Sequence, residues 1–281
     1  MPQTPPVVLS IAGFDPSSGA GVTADIKTIA AHGCYGIAAI TAMTVQSTQG
    51  VRGVIPVDAR ILFETLKDLK NDCQVSAVHV GMLGSSEVAT VVAEFLEFAR
   101  FPNVVLDPVL VASSGARLLD EAGFRVLQDR LIGQAAVVTP NVAEAEVLTG
   151  IEIAEVDDMK QAASRLHEMG AKALVITGGH LEKAIDLLSL KDQYVQIFRA
   201  DKLDSPNTHG TGCAFSTAIA CQLALERSVS TAVLLAKSYV TAAITSAYAI
   251  GNGAGPVNHM YRMKNHPGVA GLAKRLASGN D

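Results

Sequence analysis

The chain has 281 residues, of which 49% are hydrophobic and 17% charged, with a formal net charge of −5. That length suits one large α/β domain, and that composition implies a sizeable buried core and argues against intrinsic disorder. Without a basic block a nucleic-acid surface is disfavoured, whereas a phosphorylated ligand is not, because backbone N–H groups and Mg²⁺ hold phosphates without net positive charge.

Strand-like and helix-like segments alternate along the chain. Val7–Ala12 is a short apolar, β-branched run ending at Gly13, and 24–32 is helical up to Gly33. A second strand is expected over 36–45, then an amphipathic helix over 58–71 with Ile61, Leu62, Leu66 and Leu69 near helical spacing. Short strands follow at 77–80, 104–106, 136–139 and 173–177, with helices near 87–98, 121–131, 142–149 and 157–169 between them. These strands are apolar on both faces, as in a parallel sheet covered by helices on both sides. After Gly179 the pattern changes: 184–190 and 194–200 flank Lys191-Asp192-Gln193 and suggest an antiparallel hairpin at a sheet edge. Two helices, near 212–225 and 230–250, close the pattern. With no internal repeat, low-complexity tract or linker, residues 1–281 are expected to form one domain.

Cysteines stand at 34, 73, 213 and 221 without a CxxC pair, so a zinc site has no support. The short Pro-rich start shows no signal peptide, which favours free thiols in a reducing, cytoplasmic setting. No apolar run reaches about 18 residues, so no membrane span is expected.

The strongest local signal is Asn207-Thr208-His209-Gly210-Thr211-Gly212-Cys213, which opens a small-residue helix. A Gly-Thr-Gly turn there exposes N–H groups at a helix N-terminus, a setting for an anion. It is neither a Walker A loop nor a GxGxxG fingerprint. Cys213 falls in the first helical turn, where the dipole is expected to lower its pKa; alternatively it is a buried structural cysteine. Asn141 and Glu144 have the spacing of a capping box, and Asp107 ends an apolar strand before Pro108.

The glycine turn resembles the anion-hole motif of the ribokinase superfamily, and His-Gly-Thr-Gly-Cys resembles the form found in the hydroxymethylpyrimidine and hydroxymethylpyrimidine-phosphate kinases of thiamine synthesis. The similarity extends to the loop Gly13–Gly21 with Asp25 and Lys27, to Thr41–Ser47, to Val80–Gly84 and to Thr139–Glu146, so it covers nearly the whole chain. The resemblance implies a ribokinase-like three-layer α/β sandwich, with a mostly parallel sheet between helices. It implies ATP-dependent phosphorylation of hydroxymethylpyrimidine and of its monophosphate. Cys213 is then the base, and the N–H groups of Gly210, Thr211, Gly212 and Cys213 stabilise the transferring phosphoryl group. Ala20, Asp25, Gln46, Met82 and Val109 are implied to surround the pyrimidine. Asp107, Asn141, Thr177, Gly179, His209 and Lys237 are implied to lie on ATP, and Asp107 and Glu144 on Mg²⁺. Many relatives carry Lys at the position of Thr177, and this chain departs from them there. Lys237 is either a nucleotide contact or a solvated helix charge. Homodimers are common in the family and one is expected here. The alternatives are a pyridoxine or pyridoxal kinase, a thiol hydrolase using Cys213 as nucleophile, and a catalytically silent pyrimidine sensor.

Overall fold

The computed structural model describes residues 4–262 apart from 113–114, 180–183, 193 and 201–202. Nine strands form one sheet in the order β3-β2-β1-β4-β5-β6-β7-β8-β9. They are β1 (Val7–Phe14), β2 (Tyr35–Ser47), β3 (Gly50–Pro56), β4 (Val75–Val80), β5 (Val104–Leu106), β6 (Val137–Val138), β7 (Ala173–Gly178), β8 (Ala184–Leu190) and β9 (Val195–Ala200). From β2 to β7 neighbouring strands run parallel; β3 at one edge and β8–β9 at the other run antiparallel. The helices expected between strands are α1 (Gly21–Ala31), α2 (Ala59–Asp72), α3 (Ser86–Ala99), α6 (Val142–Thr149) and α7 (Val156–Glu168). The helix expected near 121–131 is α4 (Glu121–Val126), which continues through a π-helical turn at Leu127–Leu131 into α5 (Ile132–Gln134). After the edge hairpin come α8 (Thr211–Ala224) and α9 (Val229–Thr245); α9 stops five residues before the expected 250. The hairpin turn itself falls partly outside the described residues, at Gln193.

The sequence pattern gave no sign of β3. Its seven residues contain Gly50, Gly53 and Pro56, which weaken any strand signal. It forms because pairing with the long β2, from Ala42↔Pro56 to Ser47↔Gly50, satisfies its backbone.

Side-chain alternation along the strands sorts residues onto two faces. On one face Leu9, Ile11, Val78, Val80, Val104, Leu106, Val138, Leu174 and Ile176 pack against α2, α3, α6 and α7 in an apolar core. On the other, Val8, Ala77, Val105, Val137, Ala173 and Val175 pack against α1, α8 and α9. Helix α8 is buried from Ala214 to Ala224, and its alanines let α1 and α9 approach closely. Ser10 and His79 also point to this second face, directly opposite each other in the parallel β1–β4 register. The chain order reverses between β1 and β4, since β1 connects outward to β2 while β4 starts the run in the other direction. Open α/β sheets bind ligands at the carboxyl ends of the strands at such a point.

Candidate active site

The loop after β1 is built around one carboxylate. Asp15, almost fully buried, accepts hydrogen bonds from the Ser17 N–H and hydroxyl (both 2.7 Å), the Gly19 N–H (3.2 Å) and the Ala20 N–H (2.9 Å). His209 Nε2 lies 2.8 Å from the same carboxylate. Burial alone would raise the Asp15 pKa, but the bonds from His209 and Ser17 outweigh it and the pKa falls below 3.8. His209 thus ties the β1 loop to the glycine turn. Its imidazole is directed at Asp15 and, at 3.3 Å, at Gln46 Nε2, so the side chain expected on ATP is engaged on the substrate-loop side. The backbones of the two loops touch as well. Gly210 has φ +77° and a Cβ there would overlap the Gly19 carbonyl oxygen; Gly21, at φ +58°, would overlap the Gly13 carbonyl in the same way. Only glycine meets both demands.

Around this tie lie the other substrate-loop residues. Gln46, half-buried near the end of β2, has its Oε1 3.1 Å from the Thr44 hydroxyl. Met82 packs with Ala42, Leu118 and Val109 in a small apolar cluster beside the cleft, and its methyl group lies over Gly13, 2.6 Å from where a Cβ would sit, so a side chain there would displace it. The Thr41 hydroxyl holds the Met82 carbonyl at 2.5 Å. Ala20, Gln46, Met82 and Val109 are therefore gathered at one end of the sheet. Asp25 is not with them at the surface. It is fully buried, and its carboxylate accepts from Ser10 Oγ (2.6 Å), Thr217 Oγ1 (2.8 Å) and His79 Nδ1 (3.1 Å). The expectation that Asp25 takes the pyrimidine amino group is corrected: both oxygens are engaged and neither reaches the cleft.

Cys213 sits in the first turn of α8, half-buried, behind Gly210, Thr211 and Gly212. The expected fall in its pKa is also corrected. Burial, then the charges of Asp107, Asp25 and Glu144, push the thiol well above 9.0, and a hydrogen bond from the Gly21 N–H only partly opposes them. The helix end is outweighed by burial first, and then by carboxylates brought in from other elements.

Asp107, at the end of β5, is 6% exposed. Burial raises its pKa to about 6, against the pull of His79 and a Ser216 hydrogen bond. Glu144 is raised to about 8, by burial first and then by the Asp107 charge. Its capping box with Asn141 is complete: the Asn141 N–H donates to Glu144 Oε2 and the Glu144 N–H to Asn141 Oδ1, each at 2.9 Å. Two buried carboxylates in each other's field, without a Lys or Arg partner among the described residues, are a donor set that fits a hard divalent cation. Among the described residues no group of three His, Cys, Asp or Glu gathers as a metal cage. Mg²⁺ needs none, since it takes one or two carboxylates and completes its shell with phosphates and water.

On the far side, Thr177 donates its N–H to the Pro140 carbonyl and bridges to Asn141. Gly179 is exposed with open space around its Cα, and His180 lies outside the described residues. Lys237 is not a solvated charge: it pairs with Asp186 of β8, and its side chain is 17% exposed. It lines a groove of about 600 Å³ with Leu234, Ser238, Thr241, Ala242 and Thr245 along α9.

A glycine turn at a helix N-terminus, a thiol behind it and two carboxylates beside it at a sheet switch point are the arrangement expected of a small-molecule phosphotransferase. The family model described as phosphomethylpyrimidine kinase matches residues 15–258. A hydroxymethylpyrimidine/phosphomethylpyrimidine kinase of Haemophilus influenzae is 41% identical over 257 residues, covering 90% of this chain and 96% of that protein. Among solved structures, an ADP complex of Bacillus subtilis pyridoxal kinase superposes with a TM-score of 0.85 at 33% identity, covering 93% of this chain and 100% of that one. A phosphomethylpyrimidine kinase from Clostridium difficile gives 0.77 at 37% identity, covering 85% of this chain and 99% of that one. The chain belongs to the phosphomethylpyrimidine kinase family.

Proposed function

We propose that the cleft at the ends of β1, β4 and β5 is where this kinase transfers the γ-phosphoryl group of ATP to the hydroxymethyl group of the pyrimidine, and then to the resulting monophosphate. The observation that carries the reading is Cys213 in the first turn of α8, directly behind Gly210-Thr211-Gly212 and bonded by the Gly21 N–H. The Gly21 N–H and the positive end of α8 only partly offset the burial and carboxylate charges that keep the thiol protonated; with Mg²⁺ on those carboxylates that opposition would weaken, and the thiolate is the form that takes the hydroxyl proton as the O–P bond forms. The N–H groups of the glycine turn face the charge that spreads over the transferring phosphoryl oxygens. Mg²⁺ held by Asp107 and Glu144 would neutralise those carboxylates and orient the ATP phosphates. Ala20, Gln46, Met82 and Val109 hold the ring, with Gln46 offering both a donor and an acceptor to a ring nitrogen and its neighbouring amine. The α9 groove, with Lys237 and the nearby Asn141 and Thr177 junction, takes the nucleotide.

The sheet runs unbroken from β3 to β9, which supports one catalytic domain. Exposed Met43, Val45 and Ile55 on the β2–β3 hairpin support a homodimer through that edge. Cys34, Cys73, Cys213 and Cys221 are free thiols, which supports a reducing cytoplasmic setting. Among the described residues no helix is long and apolar enough to cross a membrane.

The test is ATP consumption by the purified protein with Mg²⁺ on hydroxymethylpyrimidine, its monophosphate and pyridoxine in parallel. Turnover on both pyrimidines is the expected result. Turnover on pyridoxine alone would keep the fold and move the substrate; tight pyrimidine binding with no ATP use would leave only a sensor.

A further inference from the structure

His79 has no part in the roles above, yet it is fully buried at the centre of the polar cluster beneath the cleft. One ring nitrogen, Nδ1, is 3.1 Å from Asp25 Oδ2, and the other, Nε2, is 2.9 Å from Ser216 Oγ. Ser216 Oγ in turn lies 3.2 Å from Asp107 Oδ2, and 3.0 and 3.2 Å from the Gly212 and Cys213 carbonyls. The groups that face the ring come from every element around it: Asp25 from α1, Ser10 from β1, Ser216 from α8, and the charge of Asp107 at the end of β5. Thr217 completes the shell of Asp25.

The proton count in this chain is restrictive. The Asp25 carboxylate accepts from the Ser10 and Thr217 hydroxyls, and it accepts from Nδ1 as well, so Nδ1 carries a proton. The Ser216 hydroxyl has a single proton. If Nε2 were bare, that proton would turn to the imidazole and Asp107 Oδ2 would receive none. If Nε2 is protonated, it donates to Ser216 Oγ and the hydroxyl proton is free for Asp107 and the helix carbonyls.

We propose that His79, held as an imidazolium between Asp25 and Ser216, is a positioning residue for phosphoryl transfer: it frees the Ser216 proton to fix Asp107 under the first turn of α8. The carboxylates around the ring agree with this state. Burial pulls the imidazole down, but Asp25 and then Asp107 outweigh it and its pKa lies above 6.5. Among the described residues it is the only basic side chain in hydrogen-bond contact with this group of carboxylates. The fixed Oδ2 lies about the first turn of α8, 3.9 Å from where a Gly212 Cβ would sit.

The inference rests on the kinase reading, so it is tested with and without turnover. Without turnover, the ring ¹⁵N shifts of His79 near pH 7 read its state directly: two protonated nitrogens support the proposal, and a bare Nε2 overturns it. With turnover on hydroxymethylpyrimidine, His79→Gln and Ser216→Ala, each shown to be folded by its thermal melt, lower kcat roughly 10- to 100-fold, the worth of a hydrogen bond to a charged group, while KM for the pyrimidine stays near the wild-type value. His79→Lys, which restores the cation, recovers part of the loss. The double variant His79→Gln/Ser216→Ala is no slower than the worse single one, because both cut the same link. Wild-type kcat in either single variant, or losses that multiply in the double, overturns it. A wild-type protein inactive on every substrate refutes the kinase reading, and the ¹⁵N shifts still decide this one.

Discussion

The two faces of the sheet carry different cargo. On the face covered by α2, α3, α6 and α7 the buried cluster is apolar, with buried polar groups such as Thr41 and Glu144 at the strand ends. On the face covered by α1, α8 and α9, the apolar cluster is interrupted by Ser10, Asp25, Thr28, His79, Ser216, Thr217 and His259, all buried. The polar groups are not scattered: those nearest the strand ends are joined in one hydrogen-bonded chain from Thr217 through Asp25, His79 and Ser216 to Asp107. A buried polar group is costly unless it is fully partnered, so this face gives up some apolar packing in return for fixed positions under the reacting groups. The difference teaches that the first face chiefly holds the fold together, while the second, joined by Glu144 from α6, holds the chemistry in place.

That division can be broken or sharpened by variants on either face. The largest effect is expected on the chemical side. Cys213→Ala should cut kcat for the first transfer by roughly 10²–10⁴-fold, the usual contribution of a general base, with little change in melting temperature. The second transfer should lose less, because its acceptor phosphate is already mostly ionised near neutrality; equal losses in both steps would count against Cys213 as the base. On the apolar side Leu66, fully buried in α2, is the control. Leu66→Ala should cost about 2–5 kcal/mol of stability in denaturant melts and leave kcat near wild type at temperatures where the variant is folded. A large fall in kcat would show that the two faces are not separable.

A smaller effect separates the faces by pH. His259 packs against α1 with Nδ1 3.1 Å from the Thr28 hydroxyl. Burial, and then the charge of Lys27, lower its pKa from 6.5 to about 4. A depressed histidine pKa means that its stabilising contribution is whole above 6.5 and is lost as pH falls toward about 4. The wild type should lose up to about 3 kcal/mol over that window through this residue alone. His259→Gln should show a flatter profile, and parallel profiles for the two proteins would refute the assignment.

Much of the architecture was legible because it is written locally. Strands such as Val104–Leu106 and helices such as Val142–Thr149, with its Asn141–Glu144 cap, are runs whose periodicity or cap lies within a few residues. The glycine turn before Cys213 was legible for the same reason. What was not legible depends on partners far away in sequence. Asp25 looked like a first-turn helical residue open to a ligand; its burial is set by Ser10, His79 and Thr217, which lie 15, 54 and 192 positions away. The thiol of Cys213 was read from its own helix, while what dominates it is burial under the rest of the fold and then the charges of Asp107, after β5, and Asp25, in α1. Strand β3 is held by its pairing with β2 rather than by its own composition. His79 gave no signal, because a histidine near the end of an apolar strand looks the same whether it fills a core or joins two carboxylates.

The facing of Ser10 and His79 across β1 and β4 also bears on how the chain finds its native pairing. A slip of one residue between parallel strands turns every side chain to the opposite face. Here such a slip would drive Ser10 among the side chains of α2 and α3 and cost Asp25 the Ser10 hydroxyl. Apolar neighbours such as Leu9 and Val8 could trade places with modest loss, but the hydroxyl and the carboxylate could not. The same cluster that serves the cleft therefore acts as a proofreading mark in assembly, penalising wrong strand alignments that hydrophobic collapse alone would tolerate.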